Sequence, residues 1–460
     1  MIRQLLLSQP LIFLAFSLWA QPCYDISGWD IPAQISFDDN NNLMVTGFTD
    51  GGLLFLRTSL FGETLTQKAI PLEGQPFGNS IVEAGENNYL IGGEGYLYGE
   101  PGQNRPFLLK VDSAGNVLWR RDFLPVTEGE GKTIARHILR NTQQQAVYLA
   151  TTDTVWMIGY DGATLAHISA QEMGLPGFHS LDMVFTDEGP CVLAAATASA
   201  YRLLRFDEEL QFLGGSSLIT SFYSYGQVQS FYAVSDGNFL IGGQAHTDYR
   251  WKIIKVDGQG STLWERTYSF PNYSWGYPNE VEAYEDGFLI AGSLAKITPY
   301  GFCPVLVKID ANGSPKWLQQ VSDCGTNNGL DGLAIHPSID NLIVVAGRME
   351  CSSGNDIDAY ITIVGPTPTI ILADEEANEP ASFIAFPNPA GGPVQALLPD
   401  NGPWELSLFD AGGQLALQTR VHGKSHTLDT SPLPPGIYLL RAANGRQLFS
   451  RRLVIGGQNH

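Results

Sequence analysis

Five histidines in the central part of the chain are the side chains best suited to acid–base chemistry. They are His137, His167, His179, His246 and His336. None stands at a recognised spacing from a carboxylate, serine or cysteine, so the sequence assigns no catalytic residue. Carboxylates are numerous, but their separations across a fold cannot be read from one chain, and no glycosidase pair is proposed. Whether the chain is an enzyme stays open, with a non-catalytic role favoured.

The cysteines offer disulfide chemistry rather than metal binding. The five are Cys23, Cys191, Cys303, Cys324 and Cys351. We predict a Cys324–Cys351 disulfide, and we expect Cys191 to be buried in its apolar run. The sequence has no CxxC or Cys/His spacing typical of zinc and no EF-hand loop. We therefore expect no metal and no cofactor.

Aromatic residues in connecting loops are the candidate ligand-binding residues. They are Tyr96, Tyr98, Tyr223, Tyr225, Tyr273, Trp275, Tyr277 and Tyr300. Flat aromatic rings on a rigid rim can stack on sugar rings or hold peptide side chains. The alternative is that these rings cap the ends of the sheets.

The stretch 227–268 shows which elements position these loops. It contains two hairpin-like pairs of β-rich runs, with turns at 235–238 and 257–260. Similar units of four short runs recur along the chain. We count seven, at Ile35–Leu72, Asn79–Phe123, Gly131–Ala170, His179–Leu218, Gln227–Tyr268, Asn279–Val321 and Asn328–Val364.

Glycines and a turn motif fix the repeat. The anchoring glycines Gly47, Gly93, Gly243, Gly292 and Gly347 span 300 residues over six steps, about 50 residues per repeat. Three repeats also share an Asp-x-x-Gly-x-x-x-Trp turn, in which Asp bonds the turn backbone, Gly takes a positive φ and Trp packs between sheets. The three are Asp112/Gly115/Trp119, Asp257/Gly260/Trp264 and Asp310/Gly313/Trp317.

These repeats resemble those of the quinoprotein-like (PQQ-like, kelch-like) β-propeller superfamily. The resemblance covers roughly residues 35–365 and implies an all-β ring of seven blades, with eight left open. Because no matching set of cofactor-binding residues is present, a quinone is not expected.

The C-terminal residues change character after 365. Residues 366–380 are predicted to be a linker, and residues 381–460 form a second β unit. Its motif residues are Pro387, Asn388, Pro389, Asp410, Gly413, Leu433, Gly436 and Tyr438. In this order they resemble the C-terminal sorting domain of the type IX (Por) secretion system of Bacteroidetes. That resemblance implies a small Ig-like β-sandwich, the secretion machinery as partner, and a secreted or outer-membrane surface location.

Charge and the N-terminus agree with export. The formal net charge of −21 argues against a nucleic-acid partner, because binding to a phosphate backbone requires positive charge. Residues 1–20 predict a signal peptide with cleavage near Ala20, which leaves residues 21–365 as the propeller. No transmembrane segment is expected in the mature chain.

Three functions fit this sequence. The favoured hypothesis is a secreted or cell-surface binding module for a glycan or protein ligand. One alternative is an extracellular polysaccharide hydrolase or lyase with its site at the propeller axis. The other is a passive surface or adhesion element.

Overall fold

The computed structural model describes most of the chain between Cys23 and Ile455. The described ranges are 23–24, 29–60, 62–96, 104–123, 136–175, 177–197, 200–219, 222, 228–246, 248–336, 342–350, 357–364, 370–371, 384–386, 392–398, 401–410, 415–444 and 448–455. Several residues singled out from the sequence lie outside these ranges. They are residues 1–20, Tyr98, Tyr223, Tyr225, Cys351, Pro387, Asn388, Pro389 and Gly413.

All regular structure in the described residues is β-strand, which confirms the all-β prediction. Within these ranges, no helix of the length and apolarity needed to cross a membrane is present. The chain divides into two compact units, Met1–Leu372 and Ala373–His460. The division falls within the stretch 366–380 that was predicted to be a linker.

In its described residues, the first unit contains seven antiparallel sheets, numbered here in chain order. Sheet 1 is β2 (Asp30–Phe37), β3 (Leu43–Thr49), β4 (Gly52–Thr58) and β5 (Thr64–Ile70). Sheet 2 is β6 (Gln75–Glu83), β7 (Tyr89–Tyr96), β8 (Asn104–Val111) and β9 (Val117–Asp122). Sheet 3 is β10 (Leu139–Asn141), β11 (Ala146–Thr151), β12 (Thr154–Gly159) and β13 (Thr164–Ser169). Sheet 4 is β14 (His179–Thr186), β15 (Gly189–Thr197), β16 (Ala200–Phe206) and β17 (Phe212–Ile219).

The remaining three sheets use the same order of strands. Sheet 5 is β18 (Val228–Ala233), β19 (Phe239–Gln244), β20 (Trp251–Val256) and β21 (Thr262–Thr267). Sheet 6 is β22 (Tyr273–Tyr284), β23 (Gly287–Lys296), β24 (Gly301–Asp310) and β25 (Pro315–Gln320), with β29 (Ile370–Ile371) added at its edge. Sheet 7 is β26 (Gly329–Ile335), β27 (Ile343–Met349) and β28 (Asp358–Val364).

Sheet 7 takes its fourth strand from the other end of the unit. Strand β1 (Cys23–Tyr24) pairs antiparallel with β28, with Cys23 opposite Tyr360 and Tyr24 opposite Ala359. The N-terminal residues therefore complete the last sheet. Sequence reasoning did not anticipate this strand, because two residues are too short to carry a β pattern.

Apolar packing links the sheets in a cycle. Each sheet shares a buried cluster with the next, from the Phe55–Ile91 cluster of sheets 1 and 2 to the Leu306–Val345 cluster of sheets 6 and 7. A further cluster joins sheet 7 back to sheet 1 and contains Tyr24, Ile35 and Val344. Because the middle strands are buried on both faces, their sequences are continuous apolar runs. The arrangement is propeller-like.

The second unit has two antiparallel sheets around one core. One sheet is β30 (Ile384–Phe386), β31 (Val394–Leu397) and β34 (Ser425–Leu428). The other is β32 (Pro403–Phe409), β33 (Leu415–His422), β35 (Gly436–Ala443) and β36 (Leu448–Ile455). Trp404, Leu406 and Leu440 from the second sheet pack with Val394 and Leu428 from the first.

Candidate functional site

Three of the described members of the predicted aromatic set lie together on sheet 6. Trp275 lies 5.7 Å from Tyr277 and 5.0 Å from Phe302, and Tyr300 lies 6.2 Å from Phe302, as distances between ring centroids. Tyr300 is 66% exposed. We call these four residues the aromatic patch. Phe302 was missed because only aromatic residues in predicted connecting loops were considered. Trp275 and Tyr277 were expected in such a loop, but the structure places them inside β22.

Two further predicted residues are not part of this patch: Tyr273 lies beside it on sheet 6, and Tyr96 lies on sheet 2. Tyr273 begins β22, and its hydroxyl contacts Gln320 Oε1 at 3.3 Å. Tyr96 ends β7, opposite Asn104 on β8. The structure thus places Trp275, Tyr277 and Tyr300 together and leaves Tyr96 on sheet 2.

A disulfide supports the aromatic patch. Cys303 is bonded to Cys324, next to Phe302, and the Phe302 and Gly325 backbones exchange hydrogen bonds of 2.7 and 3.0 Å. The predicted Cys324–Cys351 pairing is therefore wrong. The turn of the β24–β25 hairpin returns the chain so that Cys324 lies beside Cys303, with a Cα–Cα distance of 4.1 Å. Cys191 is a free, buried thiol, as expected.

A polar cavity lies where the first strands of the sheets converge. A cavity of about 490 Å³ is lined by strands or strand ends from sheets 1, 3, 4, 5, 6 and 7. Its polar wall includes His137, Glu280 and Glu282, and its aromatic wall includes Phe37, Phe185 and Tyr232. We call this the central cavity.

Six of the first strands each contain a β-bulge at an equivalent position, and these bulges form part of the wall of this cavity. The register shifts by one residue in β2, β6, β14, β18, β22 and β26, among the described pairings. The residue after the bulge is Gln34 in sheet 1, Asp182 in sheet 4 and Glu280 in sheet 6. A bulge reorients side chains locally, which brings polar groups to the centre.

The bulge also explains the anchoring glycines. Gly93 pairs with Gly78, directly before the bulge of β6, and a Cβ on Gly93 would collide with the carbonyl oxygen of Phe77. Gly47, Gly292 and Gly347 meet the same kind of carbonyl oxygen. The repeated glycine is therefore a packing requirement of the central wall.

His137 is the centre of the polar wall. Its Nδ1 lies 2.8 Å from Asp182 Oδ1, and its Nε2 lies 3.5 Å from Glu280 Oε2. Burial disfavours the imidazolium, but the two carboxylates outweigh it and raise the pKa of His137 well above its usual value. His137 therefore carries a positive charge between two carboxylates.

Glu282 lies two residues beyond Glu280 on β22, so its side chain is on the same face of the strand. Burial and, to a smaller extent, repulsion from Glu280 raise the pKa of Glu282 to about 8, against a smaller opposing effect of His137. Glu282 is consequently protonated in most molecules at neutral pH.

A second polar network lies directly beside this wall, at the level of the bulges. Arg136 donates to Gln229 Oε1 at 2.8 Å and to the Asn279 carbonyl at 3.4 Å. Arg348 Nη1 lies 3.2 Å from Asp331 Oδ1. Burial raises the pKa of Asp331, although both arginines oppose this. This network connects sheets 3, 5, 6 and 7 next to the cavity.

The central cavity lies at the opposite end of the sheets from the loops favoured in the sequence. In sheets 1, 4, 5, 6 and 7 it is bordered by residues near the ends of the first strands, close to the turns that lead into the second strands, and in sheet 3 by residues 137–139 at the beginning of β10. Sequence reasoning treated His137 as an isolated histidine and did not single out Asp182, Glu280 or Glu282. The sequence signal that could have indicated this cavity was a polar residue at the equivalent position of the first strand in several repeats.

The three Asp/Gly/Trp turns lie between the third and fourth strands of sheets 2, 5 and 6. The Asp112 carboxylate accepts hydrogen bonds from the backbone N–H groups of Ala114 and Asn116, and Asp257 and Asp310 accept equivalent bonds. Gly115, Gly260 and Gly313 have φ of 74°, 85° and 82°. Trp119 and Trp264 donate from Nε1 to the next sheet, at Tyr160 and Ala311, and Trp317 packs at the interface of sheets 6 and 7.

The described motif residues of the second unit lie in and around its four-stranded sheet. Gly436 begins β35, and buried Tyr438 on the same strand donates to the Pro434 carbonyl at 2.8 Å. Leu433 packs against the core, and Asp410 follows β32.

Residues 384–456 match the family described as the secretion system C-terminal sorting domain. This confirms the prediction of a sorting domain in the second unit. Comparison with curated proteins returns no match.

Three solved structures share distant similarity. A protein of unknown function from Bacteroides caccae has 16% identity and a TM-score of 0.35, covering 52% of this chain and 82% of its own. PorZ, a surface component of the type IX secretion system of Porphyromonas gingivalis, has 12% identity and a TM-score of 0.38, covering 91% and 64%. Hydrazine synthase of Kuenenia stuttgartiensis has 12% identity and a TM-score of 0.40, covering 59% and 76%. At such values we draw no function from them.

Proposed function

We propose that this chain, which ends in a type IX secretion sorting domain and is directed to the Bacteroidetes cell surface, is an extracellular binding module. Its first unit acts as a seven-bladed β-propeller, one blade per sheet, and its second as a small Ig-like sandwich. The mature chain begins after residues 1–20. The ligand is a glycan held on the aromatic patch.

The observation that supports this function is the contiguity of the patch together with the exposure of Tyr300. Trp275, Tyr277, Tyr300 and Phe302 form a continuous set of ring contacts, and Tyr300 is mostly exposed. Aromatic faces of this kind stack on the apolar faces of sugar rings, and their few rotatable bonds make ordering cheap.

The support beneath the patch favours binding over end-capping. Strands β22, β23 and β24 are 12, 10 and 10 residues long, and the Cys303–Cys324 disulfide fixes the segment beside Phe302. Capping rings would be covered by their own sheet, whereas Tyr300 is not. A preordered surface loses less conformational entropy when it binds.

Titration of the full mature chain against a glycan array tests this function. Trp275→Ala and Tyr300→Ala should each weaken binding of the best glycan at least tenfold, about 1.4 kcal/mol. Trp29→Ala is the matched control, since Trp29 is 46% exposed and lies in the connection to sheet 1. If a peptide rather than a glycan binds at this patch, the ligand is a protein partner. If neither binds, the remaining hypothesis is a passive surface element.

A polysaccharide hydrolase or lyase is the second candidate. It is favoured by Glu282, whose pKa of about 8 supplies a protonated acid in a cavity beside the carboxylate of Glu280. Turnover of a polysaccharide that is lost in Glu282→Gln and kept in Tyr300→Ala would establish it.

A further inference from the structure

We propose that the central cavity binds a protonated primary amine, with the carboxylates of Glu280 and Glu282 facing the ammonium group and Phe37, Phe185 and Tyr232 around its carbon skeleton. The amine belongs to a small ligand such as an aminosugar, or to a lysine side chain. This site is independent of the aromatic patch, since it uses other residues and another end of the sheets.

The cavity has the dimensions and walls of a small-molecule site. Its volume of about 490 Å³ falls within the common range for ligand pockets. Three aromatic rings from sheets 1, 4 and 5 form part of its wall. Aromatic faces attract cations through their quadrupole, in addition to covering apolar carbon atoms.

Once Glu282 loses its proton, the charges around the cavity lack one cation. Its described lining contains Glu280 and Glu282 but no lysine or arginine. The single positive group, His137, is already shared by Asp182 and Glu280. Within the described residues, no hydrogen-bond donor reaches the Glu282 carboxyl.

The carboxylate behind His137 adds negative charge to this polar centre. Asp182 is 1% exposed, and its Oδ2 has no hydrogen-bond partner among the described residues. Buried carboxylate oxygens are normally satisfied, because leaving them unpaired is costly. A bound ammonium group would supply positive charge to this centre and three donors to the Glu280 and Glu282 carboxylates that line the cavity.

The groups that face Glu282 make its response to pH specific. They are His137 from sheet 3, Tyr232 from sheet 5 and Glu280 on its own strand. Arg136 and Arg348 are directed to Gln229 and Asp331. Since Glu282 must lose its proton to pair with an ammonium group, amine affinity should rise as pH increases towards 8.

Calorimetric titration of the full mature chain with matched probes tests the proposal. Glucosamine is compared with N-acetylglucosamine, and Nα-acetyl-lysine amide with Nα-acetyl-norleucine amide, so that each pair differs mainly in the amine charge. We expect one charged probe to bind and its neutral counterpart not to bind; which pair responds identifies the source of the amine. Affinity of the lysine-derived probe, whose amine stays protonated, should rise by up to about 50-fold from pH 6 to pH 8, and that of glucosamine should rise less, because its own amine loses its proton in this range.

Variants separate this site from general effects on the fold. Glu282→Gln keeps the shape of the side chain and should weaken the charged probe at least tenfold and abolish the rise with pH. Glu73→Gln, at an exposed carboxyl on the surface, should leave both unchanged. Tyr300→Ala should also leave amine binding unchanged, which distinguishes this site from the proposed glycan surface. Equal binding of charged and neutral probes, no binding of either, or an affinity independent of pH would overturn the proposal.

Discussion

His137 Nδ1 lies 2.8 Å from Asp182 Oδ1, so an imidazolium of sheet 3 is paired with a buried carboxylate of sheet 4. Replacement by His137→Gln leaves Asp182 and Glu280 without their cation, and we expect a loss of about 3–5 kcal/mol in the free energy of unfolding. Urea denaturation of His137→Gln and of the double variant His137→Gln/Asp182→Asn measures this. The double variant should recover part of the loss, and equal stability of wild type and His137→Gln would contradict the charge pairing.

The pH dependence of this pair has a defined sign. The folded pKa of His137 is raised above the value near 6.5 of the unfolded chain. Its stabilising contribution is therefore complete below pH 6.5 and is lost as pH rises through the folded pKa.

Glu282 should make the protein less stable at alkaline pH. Its folded pKa of about 8 lies above its usual value of 4.5, so the folded state binds the proton more tightly than the unfolded state. Stability contributed by protonated Glu282 is complete below about pH 4.5 and is lost towards pH 8, by an upper limit on the order of 3–5 kcal/mol. Glu282→Gln should therefore be more stable than wild type at pH 9 and similar at pH 4.

Thermal melts of wild type and Glu282→Gln across this range, with Glu73→Gln as control, measure the difference. A constant difference between the two proteins at all pH values would show that Glu282 is not buried as a neutral acid.

Two glycines of β7 form a matched pair for testing the bulge. A Cβ on Gly93 would collide with the Phe77 carbonyl and lie 2.6 Å from Phe107 Cζ, whereas a Cβ on Gly95 would have its nearest neighbour, Glu73 O, at 4.0 Å. Gly93→Ala should destabilise the fold by about 3 kcal/mol, and Gly95→Ala by less than about 1 kcal/mol. Chemical denaturation of both variants checks this, and equal effects would argue against the close approach.

Removal of the Cys303–Cys324 disulfide should destabilise sheet 6. The two cysteines are 21 residues apart in sequence, and closure of such a loop contributes about 3 kcal/mol. Peptide mapping without reduction should find these two cysteines linked, while the buried thiol of Cys191, whose pKa burial raises to about 12, reacts only after unfolding. A Cys324–Cys351 peptide would contradict the structure.

Export should depend on the second unit. A chain that lacks residues 382–460 has no sorting domain, so we expect it to remain in the periplasm. Cell fractionation with an antibody to the first unit shows where it accumulates. The truncated chain in the medium at wild-type levels would mean that another signal directs its release.

The sequence was informative wherever a local rule repeated. Gly47, Gly93 and Gly292 marked the repeat because each second strand must pass a bulged neighbour. The sorting domain was recognisable because its motif residues lie close together in the chain. Both features could be recognised within one repeat or one small domain at a time.

The central cavity was out of reach for the opposite reason. His137, Asp182 and Glu280 come from three different sheets and have no common spacing. Their meeting depends on how many sheets complete the cycle and on a bulge that polarity patterns do not reveal. The disulfide prediction failed for a similar reason. Sequence spacing alone could not tell whether Cys324 pairs with Cys303 or Cys351, and the hairpin brings Cys303 close to Cys324.

The pairing of Tyr24 with Ala359 fixes the order in which the first unit can assemble. When the chain emerges amino terminus first, β1 must stay unpaired until the β27–β28 hairpin has also emerged. Completion of sheet 7 is thus a late, all-or-none event. A chain truncated before β28 would leave β1 and β27 without their shared partner, and these unpaired edges would favour aggregation.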